Sequence, residues 1–194
     1  MLLLDNHDSF TWNLAELLRG IGVVDIKIVS SGDFTADMLN ESDRIIFSPG
    51  PGLPEEQPAM LTVLHETVLR HKRNEKVPSI FGVCLGMQAI GIYFGAKLIN
   101  LPNVVHGQPR KLNIVFPGHP IFRGIPDGSP VGLYHSWAVD AKSMPGCLNT
   151  LATTANGTIM AIAHQTLPIT GVQFHPESIM TPLGSKMIHN WLTA

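Results

Sequence analysis

Cysteine is scarce. Cys84 and Cys147 are the two in 194 residues, too few for the disulfide framework of a small secreted domain. No apolar run approaches the ~18 residues of a membrane span. The opening Met1-Leu2-Leu3-Leu4 is stopped by Asp5, so it reads as a buried strand and not as a signal peptide. Together these absences point to a reducing cytoplasm. No spacing of Cys and His fits a zinc site, and no metal is expected. Charge is also low, at 14% of residues against the ~25% usual in soluble domains. With a formal net charge of −2 and no basic tract, nucleic acid and anionic membranes are excluded as expected partners. Such a surface has two readings: another protein covers part of it, or Ser, Thr, Asn and Gln simply take the exposed positions. Repeats, low-complexity segments and linkers are missing too. One domain over residues 1–194, with 44% hydrophobic residues to fill its core, is the expectation.

Strand and helix patterns alternate from the start. Leu2–Leu4 reads as a strand, Ser9–Leu18 as an amphipathic helix, Val24–Val29 as a second strand and Ile45–Phe47 as a third. Leu61, Leu64, Val68 and Leu69 stand near helical spacing within Ala59–Arg70. This alternation predicts an α/β fold with a largely parallel sheet and functional loops at the carboxyl ends of its strands. Between Lys97 and Val172 the character changes. Short β-like runs such as Val131–Tyr134 and Thr158–Ala163, separated by Gly/Pro-rich turns, predict antiparallel strands added to that sheet. Met187–Leu192 predicts a closing helix.

The most informative segment is Gly82-Val83-Cys84-Leu85-Gly86, a G-x-C-x-G pattern. The apolar run Val77–Val83 leads into it and a helix-like stretch, Leu85–Phe94, leaves it. That is the setting of a nucleophile elbow, in which a sharp strand-to-helix turn presents one side chain above a sheet edge. Flanking glycines remove the Cβ atoms that would clash there. The presented group is a thiol at a helix N-terminus, whose dipole favours the thiolate. A buried structural cysteine beside a tight turn is the competing reading of this segment alone.

A partner for the thiol stands near the other end of the chain. Gly171-Val172-Gln173-Phe174 reads as a strand end running into His175-Pro176-Glu177. In extended chain, residues i and i+2 point to the same side, and Pro176 fixes φ between them. His175 and Glu177 can then work as base and orienting carboxylate for a cysteine nucleophile. Alone, H-P-E reads more readily as a surface turn with a solvated histidine; with the elbow, each motif supplies what the other lacks. Ser48-Pro49-Gly50-Pro51-Gly52 follows a strand and offers backbone that a ligand can approach closely, or else an ordinary rigid turn. Tyr134-His135-Ser136-Trp137 is a substrate wall or an amphipathic strand edge, and by itself decides nothing.

Taken together, the blocks resemble the class I (triad-type) glutamine amidotransferases nearly end to end. They are most similar to the glutaminase component of anthranilate synthase and para-aminobenzoate synthase. The resemblance is carried by Leu4-Asp5-Asn6-His7-Asp8-Ser9-Phe10-Thr11-Trp12-Asn13-Leu14, by S-P-G-P-G, and by G-V-C-L-G-M-Q over 82–88. Tyr134-His135-Ser136 and G-V-Q-F-H-P-E-S over 171–178 complete it. The last two blocks, in order and spacing, are highly specific for the class; the opening block is moderately specific for the chorismate-using subgroup.

The resemblance implies a three-layer α/β/α fold with a mostly parallel central sheet and added antiparallel strands. It implies that Cys84 attacks the side-chain amide of L-glutamine to give a γ-glutamyl thioester and ammonia, with His175 as base then acid and Glu177 behind it. The N–H groups of Leu85 and Gly52 would form the oxyanion hole, and Gly50, Pro51 and Gly52 would line the glutamine site. Gln88, one helical turn beyond Cys84, would bind the backbone groups of glutamine, with Ser136 and Trp137 on the opposite wall. No synthase domain is recognisable in these residues, so the family implies a separate, larger, chorismate-binding subunit that holds magnesium and receives the ammonia. This chain itself would need no cofactor. Met87 stands where many relatives have histidine, Gln108 where lysine is common and Trp137 where leucine is common; these departures blur the subgroup and leave the triad intact. Three other readings are a stand-alone cysteine hydrolase on a similar scaffold, an amidotransferase subunit of a non-chorismate synthetase, and a non-enzymatic subunit. Glutamine-specific turnover separates the first from the leading reading, the identity of the partner separates the second, and the presence of both Cys84 and His175 argues against the third.

Overall fold

Alternation along very short strands decides the layering. Leu2 and Leu4 face one side of a sheet and Leu3 the other; Ile45 and Phe47 oppose Ile46, and Ile80 opposes Phe81. All are fully buried, so the sheet must be covered on both faces, as parallel sheets generally are. The computed structural model describes residues 1–194, apart from the side chains of 103–105. In chain order the elements are β1 (Leu2–Asp5), α1 (Phe10–Gly20), β2 (Lys27–Ser30), β3 (Arg44–Phe47), α2 (Pro58–Lys72), β4 (Ser79–Val83) and α3 (Leu85–Tyr93). They continue with β5 (Leu98–Lys111), β6 (Asn113–Ile114), β7 (Pro130–Val139), β8 (Leu148–Thr153), β9 (Ile159–His164), β10 (Ile169–Val172) and α4 (Gly184–Leu192).

The main sheet has eight strands in the order β2-β1-β3-β4-β10-β9-β8-β6. The five from β2 to β10 run parallel, and β9, β8 and β6 add on in antiparallel fashion. One face packs against α1 (Leu14, Ala15, Leu18) and α4 (Met187, Ile188, Trp191). The other packs against α2 (Met60, Val63, Leu64) and α3 (Leu85, Met87, Ala89, Ile90). This is the expected three-layer α/β/α arrangement. No helix among the described residues is long and apolar enough to cross a membrane.

Two sequence expectations are corrected. The second strand begins at Lys27, whose register partner is Leu2; Val24 is 95% exposed and outside the ladder. The Val131–Tyr134 run does not join the main sheet. It belongs to β7, which pairs with the long strand β5 in a separate antiparallel ribbon. The main-sheet edge is closed instead by the two-residue strand β6, and an edge that short offers little template for further pairing.

Glycine at the elbow is demanded by close approach. A Cβ on Gly86 would lie 2.7 Å from Phe47 Cβ and 2.9 Å from Phe47 O, and one on Gly82 would lie 2.5 Å from Gly86 C. Helix α3 therefore sits directly on β3 and β4, which fixes where its N-terminus opens. Gly86→Ala is expected to cost about 1–3 kcal/mol through overpacking. Gly146→Ala, with nothing within 4 Å of the added Cβ, should stay within about 0.5 kcal/mol of wild type. Urea unfolding of the two variants checks this, and equal midpoints would contradict the packing argument.

Candidate active site

At the carboxyl end of β4 the chain turns through Cys84 with φ 53° and ψ −102°. A left-handed φ is uncommon for a non-glycine residue and is the strained geometry of a nucleophile elbow. The turn is pinned on both sides: Cys84 N–H donates to Val172 O at 2.8 Å, and Gln88 N–H donates to Cys84 O at 3.1 Å. Because β10 runs parallel to β4 with Val172 opposite Val83, the residues after β10 emerge beside the thiol. Topology thus joins the two sequence motifs.

His175 and Glu177 meet as the i, i+2 argument requires. The imidazole Nδ1 lies 2.6 Å from Glu177 Oε1, with the His175 and Glu177 side chains 2% and 0% exposed. The His175 backbone is also fixed, since its N–H donates to Gly132 O at 3.0 Å and Thr181 Oγ1 donates to its carbonyl at 2.6 Å. Phe10 and Tyr134 pack edge-on against the ring at 5.0 and 4.9 Å. The second ring nitrogen, Nε2, is buried without a hydrogen-bond partner among the described residues; Cys84 is the group that acts on it. Burial lowers the His175 pKa, but Cys84 and Glu177 together outweigh it and push it up to about 10. At neutral pH the ring is therefore an imidazolium, held between Cys84 and Glu177.

A cavity of about 180 Å³ opens onto Cys84. Gly50, Pro51 and Gly52 line it from the β3 loop, Tyr134 to Trp137 line it from β7, and Leu85 and Gln88 line it from α3. All seven residues expected to bind substrate are therefore gathered around the thiol. Leu85 is the first residue of α3, so its N–H has no carbonyl partner within the helix. Gly52 has φ +77°, and the Glu56 carboxylate packs against it while accepting from Leu53 N–H at 3.3 Å. The β3 loop is tied to the chain opening by Asn6, whose N–H donates to Ser48 Oγ and whose Nδ2 donates to Ser48 O, both at 2.9 Å. Gln88 is 3% exposed, and its amide nitrogen donates to Trp137 O at 2.9 Å and to Gln173 Oε1 at 3.1 Å. Both of its hydrogens are thus spent, leaving Oε1 as its free group. His135 Nδ1 also donates to Trp137 O, at 2.9 Å. Burial lowers its pKa, the hydrogen bond to Trp137 O opposes this and the His175 charge adds to the lowering, so the net effect favours neutral His135.

Sequence reasoning missed Gln173 and the contacts of Phe10. Gln173 is fully buried and its Nε2 donates to Cys84 Sγ at 3.4 Å. The signal was present: Gln173, His175 and Glu177 follow the same spacing of two. The role of Phe10 depends on tertiary packing, and no local pattern announces it. Among the described residues there is no cluster of three or more His, Cys, Asp or Glu placed to hold a metal.

The His175 charge state carries a sign that can be measured. Its folded pKa lies above the ordinary 6.5, so its contribution to stability is fully present below pH ~6.5 and is lost as pH rises through about 10. An NMR titration of the His175 ring should show a midpoint near 10, and Glu177→Gln and Cys84→Ser should each lower it. A midpoint near 6.5 that neither variant moves would contradict the ion-pair reading.

Known proteins resemble this chain both in sequence and in fold. Residues 2–194 match the family described as Glutamine amidotransferase class-I. The chain is 38% identical to "Anthranilate synthase component 2" of Mycobacterium tuberculosis, over 100% of this chain and 81% of that protein. It is 38% identical to "Aminodeoxychorismate/anthranilate synthase component 2" of Bacillus subtilis, over 99% and 95%. A crystal structure of a candidate GMP synthase subunit from Thermoplasma acidophilum superposes with a TM-score of 0.84 at 26% identity, covering 99% of this chain and 91% of that one. The chain belongs to the class I glutamine amidotransferase family.

Proposed function

We propose that residues 1–194 form one glutaminase domain that hydrolyses L-glutamine at Cys84 and delivers the ammonia to a separate chorismate-binding synthase subunit. The observation that carries the reading is the buried ion pair of His175 and Glu177 beside a strained cysteine that opens into a glutamine-sized cavity. Names of relatives at 38% identity supply the synthase class.

The geometry supports the following sequence of steps. The Cys84 thiolate attacks the side-chain carboxamide carbon, and the carbonyl oxygen becomes an oxyanion. Leu85 N–H, free at the start of α3, and Gly52 N–H are the donors proposed for it; each such donor is worth about 3–4 kcal/mol in the transition state where measured. The His175 imidazolium gives its Nε2 proton to the leaving nitrogen, so that the C–N bond breaks and ammonia departs from a γ-glutamyl thioester. Neutral His175 then takes a proton from water as that water attacks the thioester, and glutamate leaves with the thiolate restored. Glu177 holds the ring through Nδ1 and balances its charge. Gln88 Oε1, its one free group, accepts from the α-ammonium of glutamine, while Gly50, Pro51, Ser136 and Trp137 wall the substrate. No step calls for a metal or an organic cofactor in this chain.

Two surface features support a docked partner. Ile179 is 93% exposed next to the H-P-E-S segment, and Trp12 is 58% exposed on the helix that begins with Phe10. Ile179 stands two residues after Glu177 and Trp12 two after Phe10, which packs on His175, so a protein covering that end of the site would bury them. Gly52, with the conformational tolerance of glycine, can reorient its N–H when that protein docks. The free chain is therefore expected to be a slow glutaminase, sited in the cytoplasm with its partner. Mixing it separately with an anthranilate synthase component I and an aminodeoxychorismate synthase component I, each with chorismate, tests the proposal. Glutamine hydrolysis should accelerate with one or both partners, and the product identifies the pathway. Each partner alone should still form product from ammonium salts. Full-rate hydrolysis by the free chain, unchanged by either partner, would overturn the subunit reading.

A further inference from the structure

Gln173 has no part in the steps above, yet it touches the nucleophile. It is a neutral amide, fully buried, with Nε2 3.4 Å from Cys84 Sγ and Oε1 3.1 Å from Gln88 Nε2. Its backbone N–H is fixed separately by Met160 O at 2.9 Å. Which end of an amide is oxygen follows from its partners, and here one group decides the whole series. The Trp137 carbonyl can only accept, so the Gln88 atom at 2.9 Å must be nitrogen. That nitrogen is a donor, so the Gln173 atom facing it must be oxygen. The other end of Gln173, the one against the sulfur, is then an NH2 group. A flipped Gln173 would set two donors against each other and turn a carbonyl oxygen toward the thiolate.

We propose that Gln173 is a fourth member of the catalytic machinery: a fixed N–H donor that holds the Cys84 sulfur in position and stabilises it as thiolate. The proposal rests on the glutaminase reading and deepens it. A hydrogen bond to an ionised acceptor is stronger than a neutral one, so the contact favours the thiolate before attack. The same contact favours it again when the C–S bond breaks and the thiolate leaves the tetrahedral intermediate during thioester hydrolysis. Between those steps the thioester sulfur is a poor acceptor and the donor is largely idle. The contribution is therefore specific to the two moments at which sulfur carries charge. The series also runs back to the substrate pocket. An α-ammonium on Gln88 Oε1 polarises the Gln88 amide, strengthens its donation to Gln173, and through it the donation to sulfur.

The test combines Gln173→Met, close in volume and lacking the donor, with two assays on the whole chain. The first is iodoacetamide labelling of Cys84 across pH, read by peptide mass spectrometry with Cys147 as internal reference. The second is steady-state glutamine hydrolysis with the activating partner present. The midpoint for Cys84 labelling should rise by about one pH unit, the scale of one charged hydrogen bond, while Cys147 is unmoved. The kcat should fall about tenfold with KM within about twofold. If Gln173→Met does not fold, 15N labelling of glutamine side chains in the wild-type protein gives the answer without a variant. The Gln173 amide protons should shift when Cys84 is alkylated and should follow its ionisation. Unchanged labelling and kcat in a folded variant, or amide signals indifferent to the state of Cys84, would overturn the role of Gln173. Wild-type protein that does not turn over glutamine with either partner would instead overturn the glutaminase reading itself.

Discussion

Everything at this site depends on one backbone hydrogen bond, from Cys84 N–H to Val172 O at 2.8 Å. It continues the β4–β10 ladder one residue beyond the end of β4, into a turn where Cys84 already has a left-handed φ. A strained residue persists only when its surroundings over-determine it. Here the ladder on one side and helix α3 on the other do so, with Gly82 and Gly86 allowing the approach. The same bond sets the register of β10 against the elbow, which decides that His175 and not a neighbour arrives beside the sulfur. Cys84 and His175 are far apart in sequence, and the sheet is the device that brings them together.

The two sides of the cavity differ in how firmly they are held. Toward α3 and β10, polar groups are buried and connected: Trp137 O accepts from Gln88 and His135, Gln88 donates to Gln173, and Gln173 donates to Cys84. Networks of this kind fix geometry, because an unpaired buried group is costly. Toward the β3 loop the contacts are sparser. Gly50 is half-buried and Pro51 and Gly52 are exposed; Gly52 stands at a φ that few other residues tolerate, and the loop is closed by Glu56. Thus the charge-handling half is rigid, and the half proposed to supply an oxyanion donor can respond to a docked protein. That division suits the proposed coupling of glutamine hydrolysis to a docked partner.

How much of this was legible in the sequence follows from the range of each interaction. The strand-elbow-helix around Cys84 was readable because apolar run, glycines and helix lie within a dozen residues. The His175–Glu177 pair was readable because spacing of two in extended chain is local geometry. The same alternation, followed backward from His175, places Gln173 on the thiol side, but a neutral amide carries no chemical signature that draws the eye to it. The fate of the Val131–Tyr134 run was not legible: a strand's own residues do not say which edge it joins, and β7 found β5 in place of the main sheet. Nor did Val24 reveal that pairing begins only at Lys27. The aromatic packing of Phe10 and Tyr134 on His175 joins three segments and has no local signature. The residues that the family resemblance named for the substrate wall do line one cavity with Cys84. The resemblance could not show that both hydrogens of Gln88 are committed within the protein, which leaves Oε1 as the group available for the proposed contact with the glutamine ammonium.

The central claim is that Cys84 carries the γ-glutamyl group, and the most direct measurement is to trap that thioester. Rapid acid quench of the chain mixed with its synthase partner, chorismate and isotopically labelled glutamine, followed by peptide mass spectrometry, reads it site by site. The account predicts a labelled γ-glutamyl adduct on the peptide containing Cys84, absent from Cys84→Ala, which should also release no ammonia. An adduct on Cys147, or glutamine turnover that survives Cys84→Ala, would contradict it.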